Sequence, residues 1–208
     1  GRALATAAVC VTLPSPAAGK HQTALQAVTV AGGSADDLFV FHNGWGNYTI
    51  TNAGTIDEDI LDFSSVTADL TFTIHADGSV SVSDGVNRLD AVSGIERILD
   101  GQGDDTFVFE DGAVFNGTIG IDDALLSLLG LEDGSGSNTL DFSAYTTGLS
   151  VDLGIIISTS IIDINVPGYA QNSSGDSIIS SFSNISNVIG GSGDDHITGS
   201  GESNTLIG

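Results

Sequence analysis

Five stretches of this 208-residue chain obey one nine-residue rule. "GGSADDLFV" occupies 32–40, "DGQGDDTFV" 100–108 and "DGSGSNTLD" 133–141, while "GGSGDDHIT" at 190–198 runs directly into "GSGESNTLI" at 199–207. A degenerate sixth copy, "GTIDEDILD", fills 54–62. Small residues or glycines come first, Asp or Asn stands sixth, and a large apolar residue stands eighth. A period of nine suits neither a 3.6-residue helical turn nor the two-residue alternation of a strand. It marks a supersecondary unit that repeats. A second tier overlies it. "LDFSS" at 61–65 matches "LDFSA" at 140–144, and "IERILDGQGDD" at 95–105 matches "ISNVIGGSGDD" at 185–195, at offsets of 79 and 90. Units separated by insertions of variable length predict a solenoid with its insertions in loops on one face.

Glycines at the opening positions predict tight turns with positive φ, where a Cβ would clash. The sixth-position carboxylate supplies a hard oxygen, and the eighth-position side chain points into a core from a very short strand. Stacked copies would place one Asp above another at the ~4.7–4.9 Å spacing between strands. Two carboxylates ~5 Å apart repel by about 3 kcal/mol at an effective dielectric of 20. A hard divalent ion removes that repulsion. Calcium suits an irregular, carbonyl-rich cage better than magnesium does. Zinc is disfavoured by a single cysteine, Cys10, and by His21, His42, His75 and His196, which show no paired spacing.

"GGSGDDHIT" resembles the G-G-x-G-x-D-x-U-x nonapeptide of the RTX, or haemolysin-type, calcium-binding repeat, matching it at every fixed position. The resemblance implies turn and carbonyl roles for Gly190, Gly191 and Gly193, a ligand role for Asp195 and a core role for Ile197. Asp37, Asp59 and Asp105 stand at the matching sixth position, with Asp36, Asp104 and Asp194 beside three of these sites as second ligands or solvated neighbours. Asn138 and Asn204 also stand sixth but lack the charge. Ala35 and Asp100 replace glycines of the pattern. More loosely, "LDFS" followed by "DLTFTIHADGSVSVSDG" looks like the large repetitive RTX-type surface proteins of bacteria. The layout departs from a continuous β-roll, because only 190–208 carries consecutive copies. Elsewhere Asp37, Asp59, Asp105, Asn138 and Asp195 follow at gaps of 22, 46, 33 and 57. The expected architecture is therefore all-β, a calcium-stabilised parallel β-solenoid or β-roll with irregular hairpin insertions. Residues 1–30 would form a cap or interaction segment. Residues 31–208 would form the solenoid, in supra-repeats of roughly 31–99 and 100–208.

Composition narrows the partners. Twenty-seven acids against four bases give a net charge of −23, yet only 15% of residues are charged and 40% are hydrophobic. A disordered acidic tail would be charge-rich and apolar-poor. Nucleic acid is excluded for want of a basic patch to displace counterions, and an anionic membrane surface for the same reason. No stretch reaches the ~20 apolar residues of a membrane span. With no methionine at residue 1 or elsewhere, the chain is read as a processed product or a piece of a longer one.

The remaining segments carry their own expectations. Residues 69–85 alternate about Ala76-Asp77-Gly78 and predict a hairpin in which Asp77 forms the turn. Residues 38–50 predict two strands about a glycine turn. The stretch 121–134 is the best helix candidate, with acids at its start and Gly130 near its end. Residues 149–166 are strand-rich and apolar. Phe39, Phe41, Phe107 and Phe109 alternate as strand core, and Asp62 and Asp141 of "LDFS" are turn or capping residues. Asn47, Asn116, Asn172 and Asn184 head N-x-S/T sequons that are mostly chance matches. No H-E-x-x-H, G-x-S-x-G, P-loop or G-x-G-x-x-G occurs. The functional expectation is a non-enzymatic, secreted or cell-surface calcium-binding structural or adhesive protein, its folding coupled to Ca²⁺, stacking head to tail into filaments or against neighbouring repeats. The alternatives are an accessory RTX module of a secreted enzyme, and a carbohydrate-binding module using Trp45 and Tyr48. For any one Asp-Gly pair the plainer reading is a turn residue that bonds its own backbone; the recurrence of the motif moves the balance towards a metal.

Overall fold

The computed structural model describes residues 10–12, 28–52, 58–121, 134–158 and 163–208. All regular structure among these is β. In chain order the strands are β1 (Cys10–Thr12), β2 (Val28–Ala31), β3 (Leu38–His42), β4 (Asn47–Thr51), β5 (Ile60–Ser65), β6 (Thr71–Ile74), β7 (Val80–Ser83), β8 (Arg88–Val92), β9 (Arg97–Leu99) and β10 (Thr106–Phe109). They continue with β11 (Phe115–Ile119), β12 (Asn138–Asp141), β13 (Leu149–Asp152), β14 (Ile155–Ser158), β15 (Asp163–Val166), β16 (Gly168–Asn172), β17 (Ser177–Phe182), β18 (Ile185–Ile189), β19 (His196–Thr198) and β20 (Thr205–Ile207). The helix expected over 121–134 and most of the proposed 1–30 segment lie outside the described residues.

Two nine-stranded sheets hold the described residues. One runs β1-β3-β5-β9-β11-β17-β16-β13-β19, the other β2-β4-β8-β7-β6-β10-β12-β18-β20, and β14 pairs with β15 apart from both. Both large sheets are mixed. Parallel pairs predominate, with antiparallel pairs at β6-β7-β8, β13-β16-β17 and β14-β15. Successive strands mostly alternate between the sheets. Thus β3 and β4, expected about a glycine turn, do not pair with each other; β3 lies between β1 and β5, and β4 between β2 and β8. Gly44 and Gly46, at φ of 71° and 91°, make that corner, where non-glycine residues would be strained. The hairpin over 69–85 forms as β6-β7, and the Asp77 carboxylate accepts bonds from the amide and hydroxyl of Ser79 at 3.0 and 2.6 Å.

Alternation explains the core. In β3 and β10 every second residue points inward, burying Phe39, Phe41, Phe107 and Phe109 completely. The phenylalanine of each "LDFS" joins them: Phe63 stacks on Phe41 with centroids 4.0 Å apart, and Phe142 lies 4.7 Å from Phe109. Its aspartates close local turns, with Asp62 accepting from the Ser64 amide and Asp141 from the Ser143 amide. Each buried ring contributes about 1.5–3 kcal/mol. Trp45 and Tyr48 are core too, at 0% and 4% exposure, with Trp45 edge-on to Phe41 and Phe63. Neither ring has a face for a sugar, which corrects the carbohydrate-binding alternative based on them.

Candidate metal site

The motif copies come together as pairs in register. Phe39 pairs with Leu61, so the described part of copy 54–62 lies beside copy 32–40, and Phe107 pairs with Leu140, which joins copy 100–108 to the described part of copy 133–141. The tandem copies at the close part company: Ile197 pairs with Val151 in one sheet and Leu206 with Val188 in the other. Sixth-position residues are thereby stacked, Asp37 by Asp59 and Asp105 by Asn138. A backbone amide links each pair. The Asp37 amide donates to Asp59 Oδ1 at 2.7 Å, and the Asp105 amide to Asn138 Oδ1 at 2.8 Å.

A second bond closes four of the turns upon themselves. The amide of the second-position residue donates to the sixth-position side chain: Gly33 to Asp37 at 2.6 Å, Gly101 to Asp105 at 2.7 Å, Gly191 to Asp195 at 2.9 Å and Ser200 to Asn204 at 2.9 Å. Asp105 and Asp195 use their other oxygen to accept from the amides of Leu70, just before β6, and Leu149, at the start of β13, at 2.7 and 3.0 Å. Asp59 Oδ2 accepts from Asn52 Nδ2.

The motif glycines serve close approach more than unusual torsion. Positive φ occurs at Gly136 among them, but not at Gly101, Gly103, Gly134, Gly190, Gly191 or Gly193. A Cβ on Gly134 would lie 1.7 Å from the Gly101 carbonyl oxygen, and one on Gly191 2.2 Å from that of Tyr145. The expectation that these glycines supply positive φ is thus corrected: they let one backbone lie against the next.

The fifth-position acids face outward. Asp36, Asp104 and Asp194 are exposed, whereas Asp37, Asp59 and Asp105 are buried and Asp195 is intermediate. Asp36 accepts from the Glu58 amide at 3.0 Å and Asp104 from the Ser137 amide at 2.8 Å. Burial is the main cause that pushes the Asp105 carboxyl up to about 6; its two amide partners oppose the shift, and the charges of Asp69 and Asp104 add to it.

Calcium takes six to eight converging oxygens. At the sixth positions it is N–H groups that converge, with the positive ends of their dipoles aimed at the side-chain oxygens. Among the described residues no group of three or more His, Cys, Asp or Glu side chains is placed to hold a metal ion. Gly190, Gly191 and Gly193 pack closely against neighbouring backbone or side-chain atoms, and the Gly190 and Gly191 amides donate to the Ile207 carbonyl and the Asp195 carboxylate.

Two participants escape notice in the sequence. Asp100, at the first position of its copy, is buried and accepts from the Gly134 amide at 2.9 Å and from Asn138 Nδ2 at 2.5 Å. Asn184, with φ of 58°, offers its carbonyl to the same Asn138 Nδ2 at 3.1 Å. The only signal for Asp100 was an acid where the pattern has glycine. Asn184 lies 46 residues from its partner and carried none. No protein-family model, curated protein or solved structure matches the chain.

Proposed function

We propose that this chain is a non-catalytic structural or adhesive repeat module of a secreted or cell-surface protein, built as a β-solenoid. The observation that carries the reading is the pairing of equivalent motif positions, Phe39 with Leu61 and Phe107 with Leu140, in parallel register. In such a solenoid each coil buries its apolar positions against its neighbours and the stack presents extended surfaces. The β6-β7-β8 and β13-β16-β17 hairpins are then insertions on the stack, which accounts for the unequal gaps between motifs. The extracellular setting rests on the resemblance to RTX surface proteins. Stacking of one copy on another into a filament follows if an end coil pairs with a partner's.

Two experiments test this. Replacing Thr106 and Thr139, which are partners across β10 and β12, by cysteines gives an oxidised cross-link if those strands are parallel neighbours; no cross-link between them sinks the solenoid. Antibody labelling of intact cells carrying the parent protein reaches the module if it is displayed or released, and labelling only after lysis contradicts the setting. A catalytic domain in the parent would favour the accessory-module alternative.

The competing second reading, which the inference below opposes, is calcium-coupled folding. It is favoured by the acid gathered about Asp105, where Asp69 and Asp104 add to the rise of its carboxyl; a cation there would relieve that repulsion. Light scattering in millimolar calcium against chelator tests whether calcium drives both folding and association.

A further inference from the structure

We propose that the choice of Asp or Asn at the sixth position is set by the hydrogen-bonding groups each side chain meets, and that the turns close without a divalent ion. This goes beyond the structural reading and departs from the calcium role that the nonapeptide implies.

The two residue types meet different partners. Two N–H groups arrive at Asp59, Asp105 and Asp195. Asp105 accepts from the Gly101 and Leu70 amides, Asp195 from the Gly191 and Leu149 amides, and Asp59 from the Asp37 amide and the Asn52 side-chain amide. A carboxylate accepts on both oxygens. Where one N–H and one acceptor arrive, the residue is Asn. Asn138 accepts from the Asp105 amide through Oδ1 and donates through Nδ2 to Asp100 Oδ2 and the Asn184 carbonyl. Asn204 accepts from the Ser200 amide and donates to the Ser186 carbonyl at 3.0 Å. The orientation of the Asn138 amide is forced, since the Asp105 N–H can only donate and the Asn184 carbonyl can only accept.

This removes the difficulty that suggested a metal. Of the stacked pairs only Asp37 and Asp59 are both acids, and there the Asp37 N–H bonds the Asp59 carboxylate. At Asn138, immediately beside the buried Asp100, the neutral amide spares the structure a further charge. On a calcium reading Asn138 and Asn204 are weakened ligands. On the present one they are correct, and Asp at either place would be the defect.

The two accounts give opposite signs, so the test is an exchange of residue types in the full 208-residue chain. Melting temperatures are measured for Asn138→Asp, Asn204→Asp and Asp195→Asn in millimolar calcium and in chelator at matched ionic strength. The proposal expects all three to melt below wild type, by similar amounts in both conditions. Asn138→Asp should fall by about 5 °C or more, and the partly exposed Asn204→Asp and Asp195→Asn by roughly 1–4 °C. If Asn138→Asp does not fold in either condition, the milder pair at the close carries the same comparison. The proposal is overturned if Asn204→Asp or Asn138→Asp gains stability in calcium. It is equally overturned if Asp195→Asn loses stability in calcium alone, or if wild type is folded only with calcium.

Discussion

The central turns at Asp105 and Asn138 and the closing turns at Asp195 and Asn204 follow the same rule in different surroundings. At the centre the sixth-position residues are fully buried, as are Phe107 and Leu140 at the eighth. At the close Asp195 and Asn204 are intermediate, and Leu206 is 41% exposed. The bond that closes the turn hardly changes, at 2.7 Å for Asp105 and 2.9 Å for Asp195. Span changes more: Asp105 reaches a sixth-position partner 33 residues away, whereas Asn204 meets Ser186 only 18 residues back. Nine residues therefore specify a turn, while the strands laid on either side decide what that turn is worth.

The largest predicted contrast is at the eighth position. Phe107→Ala should cost about 3–5 kcal/mol in urea denaturation, because it empties a fully packed site, and Leu206→Ala below about 1 kcal/mol; equal losses would erase the distinction between centre and close. The glycines sharpen it next. A Cβ at Gly134 meets the Gly101 carbonyl, whereas one at Gly201 meets nothing within 4 Å. Gly134→Ala is expected to lose about 1–3 kcal/mol as an overpacked contact, with Gly201→Ala within about 0.5 kcal/mol of wild type.

The smallest contrast is in pH. The folded chain holds the Asp105 proton up to about 6, while the unfolded chain releases it near the ordinary aspartate value of 3.8. Between these values the folded state binds more protons, so this group's contribution to stability falls as pH rises and levels off above about 6. The exposed carboxyls of Asp77 and Glu110, lowered chiefly by bonds from Ser79 and His75, act with the opposite sign at lower pH. Melting from pH 4 to 7 should show a downward component in wild type that Asp105→Asn lacks; identical profiles would remove Asp105 as its source.

Much of this was legible in the residues. The nine-residue rule located the turns and the inward eighth positions at Phe39, Leu61, Phe107 and Leu140; it said that sixth positions stack, but not which copies pair. The alternation about Asp77 located the hairpin, and "LDFS" its turn aspartates. What escaped depends on distant chain. The sheet that each strand joins is decided at corners such as Gly44–Gly46, and nothing local to "GGSGDDHITGSGESNTLI" says that its two copies enter different sheets. The meaning of Asn138 rests on acceptors at Asp100 and Asn184, which no local pattern announces. The glycines were recognised as necessary but for the wrong reason, because a backbone 33 residues away supplies the clash that excludes a side chain at Gly134.

The central claim is that turn amides bond the sixth-position carboxylates and close the turns without a metal. Amide hydrogen exchange of the intact chain, read by NMR at Gly33, Gly101 and Gly191, tests it most directly. The account predicts these amides protected in chelator, most strongly at Gly101, with protection unchanged on adding millimolar calcium. Exchange at the unfolded rate in chelator, with protection appearing only when calcium is added, would contradict it.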